Sequence, residues 1–463
     1  MFGTSGIRGP VGQQVTGELA LSVGRALGVD SQRVVVGRDS RESGRFLTDA
    51  LAAGLCESGT DVVDLELAAT PTVARAVAWY DADTGVSVTA SHNPPEDNGI
   101  KLWQESGQAF DEARREEVAG RVREADVELA AWDEVGTRTR ENATDRHVDA
   151  LVAATDVGND ETGSSSETEN DNGNANGGGT GPITDPDGDP LAVALDLGNG
   201  AGSVTIEALS GLGCVVETLN AQPDGGFPAR PSEPNERTLE SLRAFVAGTD
   251  AALGLAHDGD ADRLVAVDGN GEFVPKDALL ALFAADTAAA GEQVACPVDT
   301  SLVVEDYLRE RGIDVTYTPV GDVYVADAVG GNVTFGGEPS GAWIWPAQTL
   351  CPDGPLAACR LAALCADRSL ADRVNEVPAY PIERANVEVG NEGAVMGRVR
   401  ERAGEEGEVT TLDGARVDTE EGWFLVRASG TQPLIRLTAE ARSADRAESL
   451  LRSARDLVET ARD

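Results

Sequence analysis

Helix-period and strand-period segments alternate along most of this chain, and that alternation restricts the fold more than any other feature. "TGELALSVGRALG" opens on Thr16, a capping residue, and carries apolar residues at helical spacing. "RVVVG" (33–37) is a short β-branched run and predicts a buried strand. "SGRFLTDALAAGLCESG" predicts a helix ended by Gly59, "DVVDL" a strand and "TPTVARAVAWYDA" a helix. "GVSVTA" (85–90) predicts a strand that stops at Ser91. Repeated strand–helix–strand units need crossover connections, so the expected sheet is largely parallel with helices on both faces.

Residues 156–190 interrupt the pattern. They contain almost nothing apolar, so they cannot bury enough surface to offset their ordering entropy and predict a disordered acidic linker. The alternation resumes at "LAVALDL", "CVVETL", "ERTLESLRAFVAG" and "AALGLAHDGDADRLVAVD". It continues with "KDALLALFAADTAAAG", "QVACPV", "DVTYT" and "NVTFGG". From about residue 376 strands and helices mix, with "ANVEV", "GWFLVRAS", "LIRLTAEA" and the closing helix "DRAESLLRSARDLVETA". The expected class is α/β: three similar α/β domains with mixed, largely parallel sheets, at 1–150, 191–272 and 273–372. A smaller α+β domain follows at 376–463.

Composition narrows the setting. Eighty acidic residues face 37 basic ones, for a formal charge of −43. Only Lys101 and Lys276 are lysine, and the histidines are His92, His147 and His257. At about 1 M salt the Debye length falls to about 3 Å and self-repulsion is screened, so the balance suits a saline cytoplasm. It argues against nucleic acid, which needs a basic footprint. Six cysteines show no metal-site or CxxC spacing and predict buried free thiols. "MFGTSGIRGP" lacks an apolar signal region and no run is long enough to span a bilayer, so a cytoplasmic protein without a membrane partner is expected.

Four loops carry candidate chemistry. In "HDGDADR" (257–263), Asp258, Asp260 and Asp262 alternate between two apolar runs that read as strands. Burying three carboxylates without a cation is costly, and hard oxygen ligands suit Mg²⁺. The loop is not an EF-hand, which needs glycine and glutamate where Arg263 and Gly269 stand. "DPDGDP" repeats the spacing at Asp185, Asp187 and Asp189 but sits in the expected linker, as solvated acids. "TASHNPPEDNGIKLW" places Ser91, His92 and Lys101 in one loop past a strand's carboxyl end, where open parallel sheets bind ligands. A serine there is an ordinary turn residue or, if activated or modified, a nucleophile. Retention of Lys101 in so lysine-poor a chain favours the second reading. "RASGTQPLIR" (427–436) offers Arg427, Ser429 and Thr431 around Gly430, a polar turn or a phosphate clamp. Glu338 and Ser340 in "GGEPSGA" could bind sugar hydroxyls. "DLGNGAG" (196–202) misses the dinucleotide fingerprint at Ser203 and predicts a tight strand–helix connection.

In this order, from "GTSGIRG" to "RASGTQPLIR", the loops resemble the α-D-phosphohexomutase superfamily. The resemblance implies four domains around a central cleft, each donating one loop, and an enzyme that interconverts hexose 6-phosphate and hexose 1-phosphate. It implies that Ser91 carries the phosphoryl group and that Asp258, Asp260 and Asp262 bind Mg²⁺ together with an oxygen on Ser91. Arg263 would lie beside that phosphate, with Lys101 and Arg8 for acid/base or charge work and His92 in support. Glu338 and Ser340 would read the sugar. Arg427, Ser429, Gly430, Thr431 and Arg436 would hold the distal phosphate. A hexose bisphosphate would be intermediate and activator, and the enzyme a monomer or homodimer. Many members have histidine where Ala342 stands, before Trp343. "SGTQP" and "VGDVYV" (320–325) lean toward phosphoglucosamine mutases, with phosphomannomutase/phosphoglucomutase as the alternative. A phosphatase-like side reaction and a non-catalytic sugar-phosphate binding protein are the other readings.

Overall fold

The computed structural model describes residues 3, 6–125, 127–155, 182–428 and 434–462. They form two compact units, residues 1–273 with 353–372 and residues 274–352 with 373–463.

The first unit opens with β1 (Ile7–Pro10), α1 (Gly17–Gly28), β2 (Arg33–Arg38), α2 (Gly44–Glu57), β3 (Asp61–Leu67), α3 (Thr70–Trp79), β4 (Thr84–Val88) and β5 (Asp97–Trp103). α4 (Glu112–Glu124), β6 (Arg138–Arg140) and α5 (Thr144–Ala154) follow. The Thr16 hydroxyl accepts from Leu19 N at 3.1 Å, capping α1 as its position predicts. Six strands form one sheet in the order β1-β5-β4-β2-β3-β6. β4, β2, β3 and β6 run parallel, whereas β5 returns antiparallel to β4 and carries β1 antiparallel on its outer edge. Val34, Val36, Val86, Val88 and Ile100 of this sheet meet Leu47, Leu51 and Leu55 of α2 in a closed core.

β7 (Ala192–Asp196), α6 (Val204–Gly211), β8 (Val215–Leu219), α7 (Glu240–Ala247), β9 (Leu253–His257) and β10 (Leu264–Asp268) build a second sheet, β10-β9-β7-β8. Only β10 runs antiparallel in it.

The second unit holds α8 (Lys276–Thr287), β11 (Gln293–Pro297), α9 (Leu302–Arg309), β12 (Asp314–Thr318), α10 (Asp322–Ala328), β13 (Val333–Glu338) and β14 (Ala342–Ile344). Their sheet is β12-β11-β13-β14, with β14 antiparallel. α11 (Gly354–Leu364) and α12 (Leu370–Val374) come next in the chain. The last sheet, β15-β19-β18-β17-β16, is wholly antiparallel. It comprises β15 (Ile382–Glu388), β16 (Glu408–Thr410), β17 (Ala415–Thr419), β18 (Gly422–Ala428) and β19 (Leu434–Ala441), with helices α13 (Glu392–Arg402) and α14 (Ala444–Arg462). α14 buries Ala447, Leu450, Ala454, Leu457, Val458 and Ala461, one stripe at helical spacing. Three α/β sheets and one α+β domain are therefore present, as expected.

Three expectations change. Residues 156–181 of the expected linker lie outside the described residues, but 182–190 are folded. Ile183 is buried and its N–H donates to Leu212 O at 2.8 Å, while Thr184 bridges Pro190. Asp185 accepts from the amides of Asp187 and Asp189, so "DPDGDP" is a hydrogen-bonded turn. One apolar residue suffices to anchor this stretch, which average composition conceals. Residues 353–372, expected with 273–352, belong to the first unit, where α11 packs on α5 and α6. Finally, Lys101 lies on a strand, β5, rather than in the loop after Ser91.

The antiparallel strand in each α/β sheet has a purpose. β4–β5, β9–β10 and β13–β14 are each antiparallel pairs, and their connections hold Ser91, the aspartates and Ser340 respectively. A parallel strand brings the chain to the carboxyl edge of the sheet, and the return strand fixes both ends of the loop there.

Candidate active site

Ser91 stands just beyond β4 with a backbone φ of 52°. A non-glycine residue in the left-handed region is strained, and such strain persists only where the surroundings hold it. The holding groups are Thr89, Arg41 and Ser232. Ser91 N donates to Thr89 Oγ1 at 2.8 Å. Ser91 O accepts from Arg41 Nη2 at 2.8 Å and from Ser232 Oγ at 2.7 Å.

Arg41 is fully buried and organises the whole loop. Its guanidinium also donates to the carbonyls of Asn93, Pro94 and Asp97 at 2.5–2.9 Å, and its Nε to Asp39 Oδ2 at 2.9 Å. Asp39 accepts in addition from Thr89 Oγ1 at 2.7 Å. Burial pushes the Asp39 carboxyl above its ordinary range, against the pull of Arg41 and Thr89.

The Ser91 hydroxyl donates to Asp258 Oδ2 at 2.7 Å, so the serine and metal-type loops meet within the first unit. Gly259 permits the approach. A Cβ there would sit 2.6 Å from Ser232 Oγ and 3.0 Å from Ser91 O. Ser232 Oγ accepts from Gly259 N at 3.0 Å while donating to Ser91 O, and so ties the two loops together.

Asp258, Asp260 and Asp262 are buried, with one oxygen from each inside a 4.8 Å cluster. Lys101 Nζ donates to Asp260 Oδ2 at 2.8 Å and to Asp262 Oδ2. Thr70 Oγ1 and Thr70 N bind Asp260 Oδ2 and O at 2.6 and 2.8 Å, docking the start of α3 on the loop. Asp260 Oδ1 and Asp262 Oδ1 are buried without a hydrogen-bond partner. Orphaned buried carboxylate oxygens beside a third carboxylate fit a hard divalent cation.

The electrostatics agree. Burial, then Asp262 and Asp260, push Asp258 well above the ordinary carboxylate range. Burial and Asp260 push Asp262 the same way. Asp260 is held low, because Lys101 and Thr70 outweigh its burial. Burial would lower Lys101, but Asp260 and Asp262 outweigh it and keep the ammonium charged. One lysine does not neutralise three buried carboxylates.

His92 Nδ1 lies 3.4 Å from Ser91 Oγ. Burial, then Arg263, Arg8 and Lys101, lower its pKa to about 3, so the ring is neutral near pH 7. Arg263, Arg8 and Lys101 are thus close enough to act on the His92 ring. Arg8 Nε is buried without a partner, and Arg263 Nε is 3.9 Å from Asp262 Oδ1. Positive charge thus gathers beside His92, the neighbour of Ser91, which suits a phosphoryl group on the serine.

In the second unit, Glu338 ends β13 and Ser340 sits in the turn to β14, with its Oγ buried and without a partner. Lys276 Nζ donates to Ser340 O at 3.3 Å, so each of the two lysines touches a candidate loop. Arg427 on β18 stands directly opposite Arg436 on β19. Like charges across a strand pair are unfavourable without an anion between them. Arg427 meets Asp413 at 3.1 Å and Asp299 at 3.9 Å. Ser429, Gly430 and Thr431 lie outside the described residues.

Sequence reasoning missed Asp39, Arg41, Thr70 and Ser232. "GRDSR" did hint at the first pair, as charges just past a strand, but their partners are about 50 residues away.

Comparison with known proteins assigns the chain. The α/β/α domains I, III and II of phosphoglucomutase/phosphomannomutase match residues 1–128, 275–380 and 184–271, and the C-terminal domain matches 385–457. A protein of Methanococcoides burtonii named "probable phosphoglucosamine mutase" is 41% identical, covering 98% of this chain and 99% of its own length. A protein of the same name from Methanopyrus kandleri is 42% identical, covering 99% of this chain and 97% of its own. The crystal structure of a phosphoglucomutase/phosphomannomutase family protein from Burkholderia thailandensis aligns with a TM-score of 0.82 at 27% identity, over 100% of this chain and 98% of that one. With all four domains matched and serine, aspartates and basic residues gathered as that chemistry requires, the chain belongs to the phosphoglucomutase/phosphomannomutase family of α-D-phosphohexomutases.

Proposed function

We propose that this enzyme is a phosphoglucosamine mutase, moving a phosphoryl group between the 6- and 1-positions of a hexosamine through phosphoserine 91 and a bisphosphate. The observation that carries the reading is the 2.7 Å contact of Ser91 Oγ with a buried three-aspartate cluster that Lys101 binds and Arg263 adjoins. The names of the relatives at 41–42% identity and the "SGTQP" sequence support the hexosamine over mannose or glucose.

In the first half-reaction the P–O bond to Ser91 Oγ breaks as one forms to the free sugar hydroxyl, giving the bisphosphate. In the second, the P–O bond to the sugar's other phosphate-bearing oxygen breaks as one re-forms to Ser91 Oγ. The proton of the sugar hydroxyl passes to Ser91 Oγ in the first step and the serine proton to the freed sugar oxygen in the second, so no proton is gained or lost overall. Asp258, Asp260 and Asp262 would hold Mg²⁺, which when bound neutralises charge on the transferring group. Lys101 stays an ammonium and suits charge stabilisation and proton donation. Arg8 and Arg263 hold phosphate oxygens, and neutral His92 donates a ring N–H beside Ser91. Glu338 and Ser340 read sugar hydroxyls. Arg427 and Arg436, with Ser429, Gly430 and Thr431, hold the distal phosphate. A hexose bisphosphate primes the serine. Among the described residues no helix is long and apolar enough to cross a membrane, and we place the enzyme in the cytoplasm with its sugar-phosphate substrates.

Intact-mass analysis tests the serine: a fraction of purified protein should be one phosphate heavier, and Ser91→Ala should remove it together with turnover. Rates on glucosamine, mannose and glucose phosphates, run side by side with Mg²⁺, test the sugar. Full activity in Ser91→Ala would end the phosphoserine mechanism. Faster turnover of mannose or glucose phosphate would end the hexosamine assignment, and net release of inorganic phosphate would favour the phosphatase reading.

A further inference from the structure

The sheet edge that carries Ser91 has a second opening. β2, β3 and β6 are parallel, and their carboxyl ends, together with α2, line a cavity of about 250 Å³. None of the residues placed around Ser91 lines it.

Its charges are unusual for so acidic a chain. Four arginines and three acids line it, a net positive patch on a molecule of formal charge −43. The acids are occupied. Arg138 binds Asp64 at 2.7 Å and Asp49 at 2.8 Å, and Arg140 reaches Glu66 at 3.4 Å. Arg38 and Arg45 have no carboxylate within ion-pair distance among the described residues. Arg38 Nη1 donates only to the carbonyl of Asp39, at 3.2 Å. Burial, then the charge of Arg45, lower the pKa of Arg38, and together outweigh the opposite pull of Asp64, Asp39 and Glu66.

Two further features adjoin the same space. Thr48 is 3% exposed and lines the cavity, yet its Oγ1 has no hydrogen-bond partner. The first turn of α2 bears no acidic residue, and its N-cap Ser43 makes no capping bond. The Ser43 hydroxyl instead accepts from Asn98 Nδ2. The positive end of a 14-residue helix is thus left without an anionic partner. Arg38 packs across that turn: a Cβ on Gly44 would lie 3.2 Å from its Cδ.

We propose that this cavity is an anion site for a phosphate group, held by Arg38, Arg45 and the Thr48 hydroxyl and separate from the site at Ser91. Two guanidiniums and a hydroxyl match the oxygens of a tetrahedral anion. The volume suits inorganic phosphate or the phosphate end of a small ester, below the usual range for larger ligands.

The test is calorimetric titration of the full chain with inorganic phosphate and, separately, with glucosamine 6-phosphate. The wild type should show a site that Arg38→Gln/Arg45→Gln weakens at least tenfold, and Arg45→Gln alone, at an exposed position, several-fold. Arg427→Gln, on the other unit, should leave that site unchanged. Loss confined to inorganic phosphate identifies the free ion as ligand, and loss with both identifies the phosphate monoester. Titrations with both ligands that are identical in the wild type and in the folded Arg45→Gln variant overturn the proposal.

Discussion

Replacing Arg41 by methionine should damage this protein more than its place outside the chemistry suggests. Arg41 is fully buried and is the counter-ion of the buried Asp39. Removing one partner of a buried ion pair costs about 3–5 kcal/mol, because the other charge is stranded. Four carbonyls, of Ser91, Asn93, Pro94 and Asp97, lose a donor as well. Each lost bond is worth about 1 kcal/mol where water cannot replace it, but the losses overlap and do not add. A loss of about 4 kcal/mol corresponds to a fall in melting temperature on the order of 10 °C for a domain of 150–250 residues. Scanning calorimetry reads that fall, and amide hydrogen exchange over residues 89–97 reads the loosened loop. Asp39→Asn in the same chain removes the stranded charge, so Arg41→Met/Asp39→Asn should be more stable than Arg41→Met alone by about 1–2 kcal/mol. Arg41→Lys keeps the charge but not the geometry and should fall between. A variant Arg41→Met with wild-type melting and exchange, or a double variant less stable than the single, would refute the reasoning.

Lys101→Ala removes the ammonium that Asp260 and Asp262 share and leaves the three buried carboxylates short of positive charge. In a chelator it should melt several degrees below the wild type, and added Mg²⁺ should raise its melting temperature more than it raises the wild type's; an equal shift in both would show that Lys101 and the metal do not share these ligands. Asp277, buried in the second unit and accepting from Ser301 N at 2.9 Å, has its pKa pushed up to about 6 by burial, with Glu440 adding to it. The folded state then holds a proton that the unfolded chain releases near pH 4, so this group's contribution to stability is lost as pH rises from about 4 to about 6. The full effect is on the order of 3 kcal/mol. Asp277→Asn should flatten that slope in denaturant melts of the whole chain and stabilise the protein at pH 7, and an unchanged slope would contradict it.

Local chemistry was legible in the sequence, and the reason is range. Thr16 caps the helix that follows it, and the β-branched run at 33–37 and the apolar run at 253–257 sit at 0–1% exposure over most of their length because strand and helix periods depend on neighbouring residues. The aspartate triplet was visible for the same reason: its ligands come from one six-residue turn. Lys101 was noticed for its rarity and then misplaced. "DNGIKLW" gives no sign of turning back antiparallel, and only pairing with β4, Ser87 opposite Lys101, puts its ammonium on Asp260 and Asp262. Arg41, Ser232 and Thr70 were invisible because what they hold lies 50, 141 and 190 residues away in the chain. The membership of 353–372 in the first unit was hidden likewise, since Asp353 has its charge partner in Arg75, 278 residues earlier. Sequence determined which segments are strands and helices and which short loops are chemically unusual. Tertiary structure decided which of those loops share a site, because burying a charge demands a partner, and the chain supplies that partner from wherever the fold brings one near.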